Sequence, residues 1–192
     1  MTSTERTGVR AARVADLPAL LQMMAAFNRA EAIPFRRARV APGVRRLLRE
    51  RRLGIVLVAA HPDRPALEGY AVATFGYDLE FAGTDAFLTE LFVRPAHRGR
   101  GVGARLLGEV ARLLRAGGAG AVTLLVRPEN RAARRLYARA GYAEVRRVAM
   151  VRRLGEGIEP SSPKDPRWAK RGSPPQPGRR PFAPSVKGSG KS

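Results

Sequence analysis

The residues of this 192-residue chain best suited to chemistry lie between Leu88 and Leu107. A strand-like run ends there at Val93. After a short polar turn, Arg98-Gly99-Arg100-Gly101-Val102-Gly103 opens a long amphipathic segment. The first turn of a helix leaves backbone N–H groups unpaired and carries partial positive charge, so it suits a phosphate. Glycines at 99, 101 and 103 remove side chains that would hold a diphosphate off those amides, and Arg98 and Arg100 add countercharge. The competing reading is a glycine-rich turn built for packing alone. Upstream stands Glu90, a carboxylate that could take a proton from an ammonium or simply attract it. Downstream stands Tyr137, a phenol that could give up a proton or simply pack a short helix.

These residues need a scaffold, and the first 154 residues alternate strand and helix signals. Val9–Val14 reads as a short strand, and Asp16 as the N-cap of a helix through Glu31 with Pro18 in its first turn. Val44–Arg52 reads as a second, arginine-rich helix. Gly54–Ala60 is an apolar strand, and His61–Leu67 a turn holding two prolines. Tyr70–Phe81 and Ala86–Val93 read as strands of a hairpin turning at Ala82-Gly83-Thr84-Asp85. Gly101–Ala116 carries Val102, Leu106, Leu107, Val110, Leu113 and Leu114 on one helical stripe. Ala121–Val126 is a buried strand, Asn130–Ala140 a short helix, and Tyr142–Val151 one or two final strands. The order βααβββαβαβ(β) predicts a mixed α/β layer with one β-α-β crossover.

The bulk properties narrow the field. The chain has no cysteine, which excludes disulfides and thiolate chemistry, and two histidines, His61 and His97, without ligand spacing, so no structural metal is expected. His97 reads as a loop residue near the phosphates. No apolar run approaches the roughly 20 residues of a membrane span, and the N-terminus lacks a signal-peptide pattern, so a cytoplasmic protein is expected. The net charge is +20, yet residues 1–154 hold 28 arginines, 13 acids and no lysine. An arginine-only excess reads as composition bias rather than nucleic-acid binding, the alternative being a selected basic surface. Residues 155–192, rich in Pro, Gly, Ser and positive charge, read as a disordered tail beyond a single domain spanning 1–154. The closing Gly188–Ser192 imitates a phosphate loop, but no helix follows it, and Trp168 stands alone in that tail.

Gly99, Gly101 and Ala104 formally satisfy a dinucleotide fingerprint. Five residues separate Val93 from Gly99, however, and no acid ends the following strand, so that reading is set aside. Arg98 to Gly103 fits [Q/R]-x-x-G-x-[G/A] at a helix start. One strand later come Asn130, Ala133, Leu136-Tyr137 and Gly141-Tyr142. Together these resemble the two motifs of the GNAT superfamily of acetyl-CoA-dependent N-acetyltransferases, over about residues 8–154.

The resemblance implies the acyl-CoA N-acyltransferase fold, a mixed sheet mostly antiparallel in its N-terminal half, with a parallel strand pair splayed around the CoA site. It implies that Leu91, Phe92 and Val93 pair with the pantetheine arm, that Arg98, Gly99, Arg100, Gly101, Val102, Gly103 and Ala104 hold the pyrophosphate, and that Asn130 and Ala133 contact the arm near the thioester. Acetyl-CoA would be a co-substrate and an amine would attack it directly, with Tyr137 as general acid and Glu90 as candidate base. Some relatives place a carboxylate where Thr89 stands, so this chain departs from them there. Asp78, Glu80, Asp85 and Glu90 gather acid around the hairpin, which suits a cationic acceptor. The acceptor stays open between small-molecule amines such as polyamines, aminoglycosides or amino acids, and protein N-termini or lysines. Two further alternatives are a non-catalytic CoA-binding protein and a basic nucleic-acid-associated module. Family members often dimerise, but no interface is legible.

Overall fold

Five strands form one sheet in the order β1-β2-β3-β4-β5. The computed structural model describes residues 7–61 and 66–150. The strands are β1 (Gly8–Ala11), β2 (Gly54–Ala60), β3 (Leu67–Asp78), β4 (Gly83–Val93) and β5 (Val122–Leu124). The first four pair antiparallel; β4 and β5 pair parallel across the crossover helix. The helices are α1 (Leu17–Ala30), α2 (Arg37–Arg49), α3 (Val102–Ala116) and α4 (Arg131–Arg139).

Strand alternation sorts the core into two layers. On one face Val56, Val58, Tyr70, Val72 and Phe92 pack beneath α1 and α2, against Leu20, Met23, Met24 and Val44. On the other, Leu57, Ala71, Ala73, Ala86 and Leu88 pack beneath α3, against Val102, Leu106, Leu107, Val110 and Leu114. The stripe expected on α3 is therefore the buried one, and small residues in β3 let that helix sit close. Leu136, Tyr137 and Tyr142 extend this second layer from α4.

Most elements stand where the sequence places them, with five corrections. The first strand stops at Ala11, and Val14–Asp16 form a 3-10 turn in which the Asp16 side chain accepts from the Arg13 N–H instead of capping α1. The second helix begins at Arg37 rather than Val44. Pro42 lies inside it, near enough to the N-terminus that a Val40/Ala41/Val44/Leu47/Leu48 stripe outweighs the one lost donor. The hairpin turns earlier than expected, through a 3-10 turn at Leu79–Phe81 closed by Ala82 in the left-handed region (φ 53°). The fifth strand is cut from Ala121–Val126 to three residues. Residues 143–150, expected within the final strands, are irregular, with Val148 and Met150 88% and 91% exposed. There Arg134 holds Glu144 and Arg147 holds Glu80, so charge pairs rather than a ladder organise the segment. Val151, the expected tail and Trp168 lie outside the described residues.

Candidate active site

The geometry that matters is the end of β4. β5 pairs with it only at Ala86, Phe87 and Leu88. β4 then continues five residues, to Val93, with β3 on one side and no strand pairing on the other among the described residues. It leads through a 3-10 turn (Pro95–His97) into the glycine-opened start of α3. A parallel pair that parts in this way exposes main-chain groups of β4 beside unpaired helix N–H groups.

The three glycines serve different needs. Gly99 and Gly101 have φ of +74° and +75°, and Gly101 is the N-cap of α3. That conformation costs other L-residues about 1–2 kcal/mol. A Cβ on Gly99 would meet nothing within 4 Å, so the loop's face there is open. Gly103 is ordinary helix; its missing side chain admits Leu136 of α4, whose Cδ2 would lie 3.0 Å from a Cβ. The expectation of three glycines clearing one phosphate path thus divides into two turn formers and one helix contact. Arg98 is exposed, but its Nε donates to the Val93 carbonyl at 3.0 Å and its guanidinium lies 5.9 Å from the Phe92 ring centroid. Arg105 closes the loop from behind, its Nη1 donating to the Arg100 carbonyl at 3.3 Å.

The loop is also tied down from below by residues that sequence reading missed. Glu68 is 4% exposed. One of its oxygens accepts from Thr7 Oγ1 at 2.6 Å and the other lies 3.3 Å from His97 Nδ1. Arg94 donates through its backbone N–H to the Glu68 carbonyl and through Nε to that of Leu67. His97 thus faces inward to a buried acid, a role a lone loop histidine does not announce.

Glu90 owes its direction to a β-bulge. Val72 pairs with Glu90 and Ala73 with Leu88, so Thr89 is the extra residue. Ala86 and Leu88 face the α3 layer, and unbroken alternation would send Glu90 after them. The bulge turns Glu90 and Phe92 to the α1 face instead. Thr89 is exposed, its Oγ1 donating to the Val72 carbonyl. On the α1 face the fully buried Tyr70 donates its hydroxyl to Glu90 Oε2 at 2.5 Å. Burial pushes the Glu90 carboxyl above its ordinary value, and the Tyr70 bond pulls partly the other way.

Tyr137 lies half-buried on α4, its ring edge-on to Tyr142 with centroids 5.6 Å apart. Burial, then the neighbouring Tyr142 and the Glu31 charge, push its hydroxyl up to about 12, so it is protonated at neutral pH. The Tyr142 hydroxyl is buried without a hydrogen-bond partner among the described residues. α4 itself is set by Asn130, which is its N-cap and accepts from the Ala133 N–H at 3.1 Å. Asn130, expected to contact a cofactor arm, has its side-chain oxygen committed to the helix. Arg127 pairs with Glu31 at 2.8 Å and donates to the Ala30 carbonyl, fastening the loop before α4 to the end of α1. Among the described residues no group of three or more His, Asp or Glu could hold a metal, and no helix is long and apolar enough to cross a membrane.

A sequence model of the "Acetyltransferase (GNAT) family" matches residues 21–142, from within α1 to just past α4. The chain belongs to the GNAT acetyltransferase family. Over 87 residues this GNAT chain is 29% identical to thialysine N-epsilon-acetyltransferase of Bos taurus, covering 45% of the chain and 51% of the relative. The chain therefore spans about half the length of that curated relative. Among solved structures, an integron cassette protein from the mobile metagenome of Cole Harbour Salt Marsh superimposes with a TM-score of 0.68 at 28% identity, over 78% of this chain and 92% of that one. Aminoglycoside N-acetyltransferase AAC(6')-Iy, solved with CoA, superimposes with a TM-score of 0.68 at 18% identity, over 80% of this chain and 98% of its own. At that identity the likeness is one of fold.

Proposed function

We propose that this GNAT protein transfers an acetyl group from acetyl-CoA to a primary amine by direct attack, with a small-molecule amine as acceptor. The observation that carries the reading is the end of β4, which outruns its parallel partner and leads straight into a helix start with two left-handed glycines. The residues fit such a co-substrate. The main chain of Leu91, Phe92 and Val93 lies along the unpaired edge, and the amides of Arg98 to Ala104 sit at the positive end of α3 with open space over Gly99. Ala133 and the amide group of Asn130 would meet the arm near its acyl end. Acetyl-CoA supplies an acyl group already activated as a thioester.

The remaining work falls to two side chains carried on opposite faces of the sheet. Glu90, with one oxygen held by Tyr70, accepts a proton from the incoming ammonium so that a neutral amine attacks. Tyr137 stands protonated beside the departing sulfur. A phenol near 12 yields its proton to a thiol of about 8.5 only at a cost of roughly 5 kcal/mol. Its chief contribution is therefore a hydrogen bond that steadies the thiolate. The relatives' names support an amine acceptor, thialysine in one and an aminoglycoside in another. Asp78, Glu80 and Asp85 add acid near the hairpin, although Glu80 is paired with Arg147. The same reading makes the protein cytoplasmic.

The test is thiol release from acetyl-CoA across a panel of polyamines, aminoglycosides, amino acids and lysine peptides. Turnover with a small amine is expected. Turnover with peptides alone would move the acceptor to proteins, and none with any amine would leave a CoA-binding protein.

A further inference from the structure

Tyr70 has no place in the motifs that identify the family, yet it makes the one hydrogen bond to Glu90 among the described residues. Its ring is fully buried beneath α1, 6.0 Å from that of Phe92. Its hydroxyl crosses diagonally from β3 to the carboxylate that the Thr89 bulge delivers to this face. Glu90 Oε1 has no partner among the described residues, so the bond occupies one oxygen and leaves the other uncommitted.

We propose that Tyr70 is a positioning residue for the transfer reaction, holding the Glu90 carboxylate in one orientation and in its ionised form. The inference rests on the assignment of Glu90 as the proton acceptor. An isolated carboxylate in an apolar layer escapes burial by binding a proton, and a protonated Glu90 takes nothing from an ammonium. A donated hydrogen bond opposes this by favouring the charged form. Tyr70 itself keeps its proton, because burial and then the neighbouring carboxylate push its hydroxyl far above the ordinary phenol range. The charged groups on the helices covering this face are Arg29 of α1, which packs on β3 and β4, Glu31 just past its end and paired with Arg127, and Arg37, Arg39, Arg45, Arg46 and Arg49 of α2, which packs on β2. The Arg98 guanidinium lies over the Phe92 ring on the same face. Tyr70 is thus the group in direct contact with Glu90.

Tyr70→Phe keeps the ring and removes only the hydroxyl. A hydrogen bond to a charged group of ordinary strength corresponds to about one to two pH units. The acid limb of the kcat/KM–pH profile should move up by that amount, with activity recovering at higher pH and KM for acetyl-CoA unchanged. Independently of turnover, carbon-13 NMR of labelled glutamate should show the Glu90 carboxyl, assigned by its loss in Glu90→Gln, titrating about one to two units higher in Tyr70→Phe. In the Glu90→Gln background, Tyr70→Phe should cost no further activity. Unchanged Glu90 titration in Tyr70→Phe would overturn the proposal, as would an equal loss of activity at every pH. If the wild-type chain acetylates no amine, the functional reading fails, while the NMR titration still decides whether Tyr70 governs Glu90.

Discussion

Gly101→Ala and Gly103→Ala differ by two positions in one motif, and the structure assigns them opposite consequences. At Gly101 the backbone is left-handed, and a Cβ would find only Arg105 Nη1 at 3.4 Å, an ordinary contact. The cost is therefore conformational, about 1–2 kcal/mol, less about 0.4–1 kcal/mol because alanine restricts the unfolded chain. The net loss of up to about 1.6 kcal/mol corresponds to a Tm drop of up to roughly 6 °C. At Gly103 the backbone is helical, so alanine gains about 1 kcal/mol of propensity against the shift of Leu136 by a few tenths of an ångström. Its Tm should stay within about 3 °C of wild type. Acetyl-CoA affinity separates the pair further. Turning the amides at Gly101 loses one or two charge-assisted bonds, a roughly 10- to 100-fold rise in Kd, whereas Gly103→Ala should stay within about threefold. Asn tolerates the left-handed region, so Gly101→Asn should recover part of both the stability and the affinity. Scanning calorimetry and isothermal titration read both quantities. A Gly101→Ala protein with wild-type Tm and Kd, beside a Gly103→Ala protein impaired in both, would refute the division of roles.

Other outcomes follow from the same contacts. Tyr137→Phe should lower kcat by about 10- to 100-fold while leaving the Kd for acetyl-CoA within about twofold, measured by thiol release and calorimetry. Glu90→Gln should raise Tm at neutral pH, because a carboxyl whose value is raised by burial favours the fold below its unfolded value and loses that contribution as pH climbs through the folded one. The gain should vanish when thermal scans are run near pH 4. Asp16, held low first by its two hydrogen bonds from Arg10 and also by the Arg13 N–H, has the opposite sign. Its contribution is present above the unfolded value and fades as pH falls through the folded one, so Asp16→Asn should lower Tm at pH 7 and change it little in strong acid. Glu68→Ala removes the anchor of Thr7 and His97, and hydrogen exchange at residues 94–101 should rise more than exchange in β2.

The sequence was most legible where one periodicity governs an element. The α3 stripe, the apolar β2 run and the helix-opening motif each appear in the structure within a residue or two, because local pattern and burial agree there. Legibility failed where long-range geometry decides. The bulge at Thr89 has no local signature, yet it chooses which face receives Glu90. Tyr70 read as one more apolar strand position, since only the register shows that its hydroxyl crosses to β4. Glu68 gave no hint of being a buried anchor, because both its partners are far from it in the chain. The second helix, expected over Val44–Arg52, begins at Arg37 and runs through Pro42, the amphipathic stripe around that residue being stronger than the local break.

Amide hydrogen exchange with and without acetyl-CoA tests most directly where the co-substrate lies. Added acetyl-CoA should slow exchange in two stretches, Glu90 to Val93 along the free edge of β4 and Gly99 to Ala104 at the head of α3, while β1 and β2 stay as they were. Binding that protects neither stretch, or protects the arginine-rich face of α2 instead, would contradict the account.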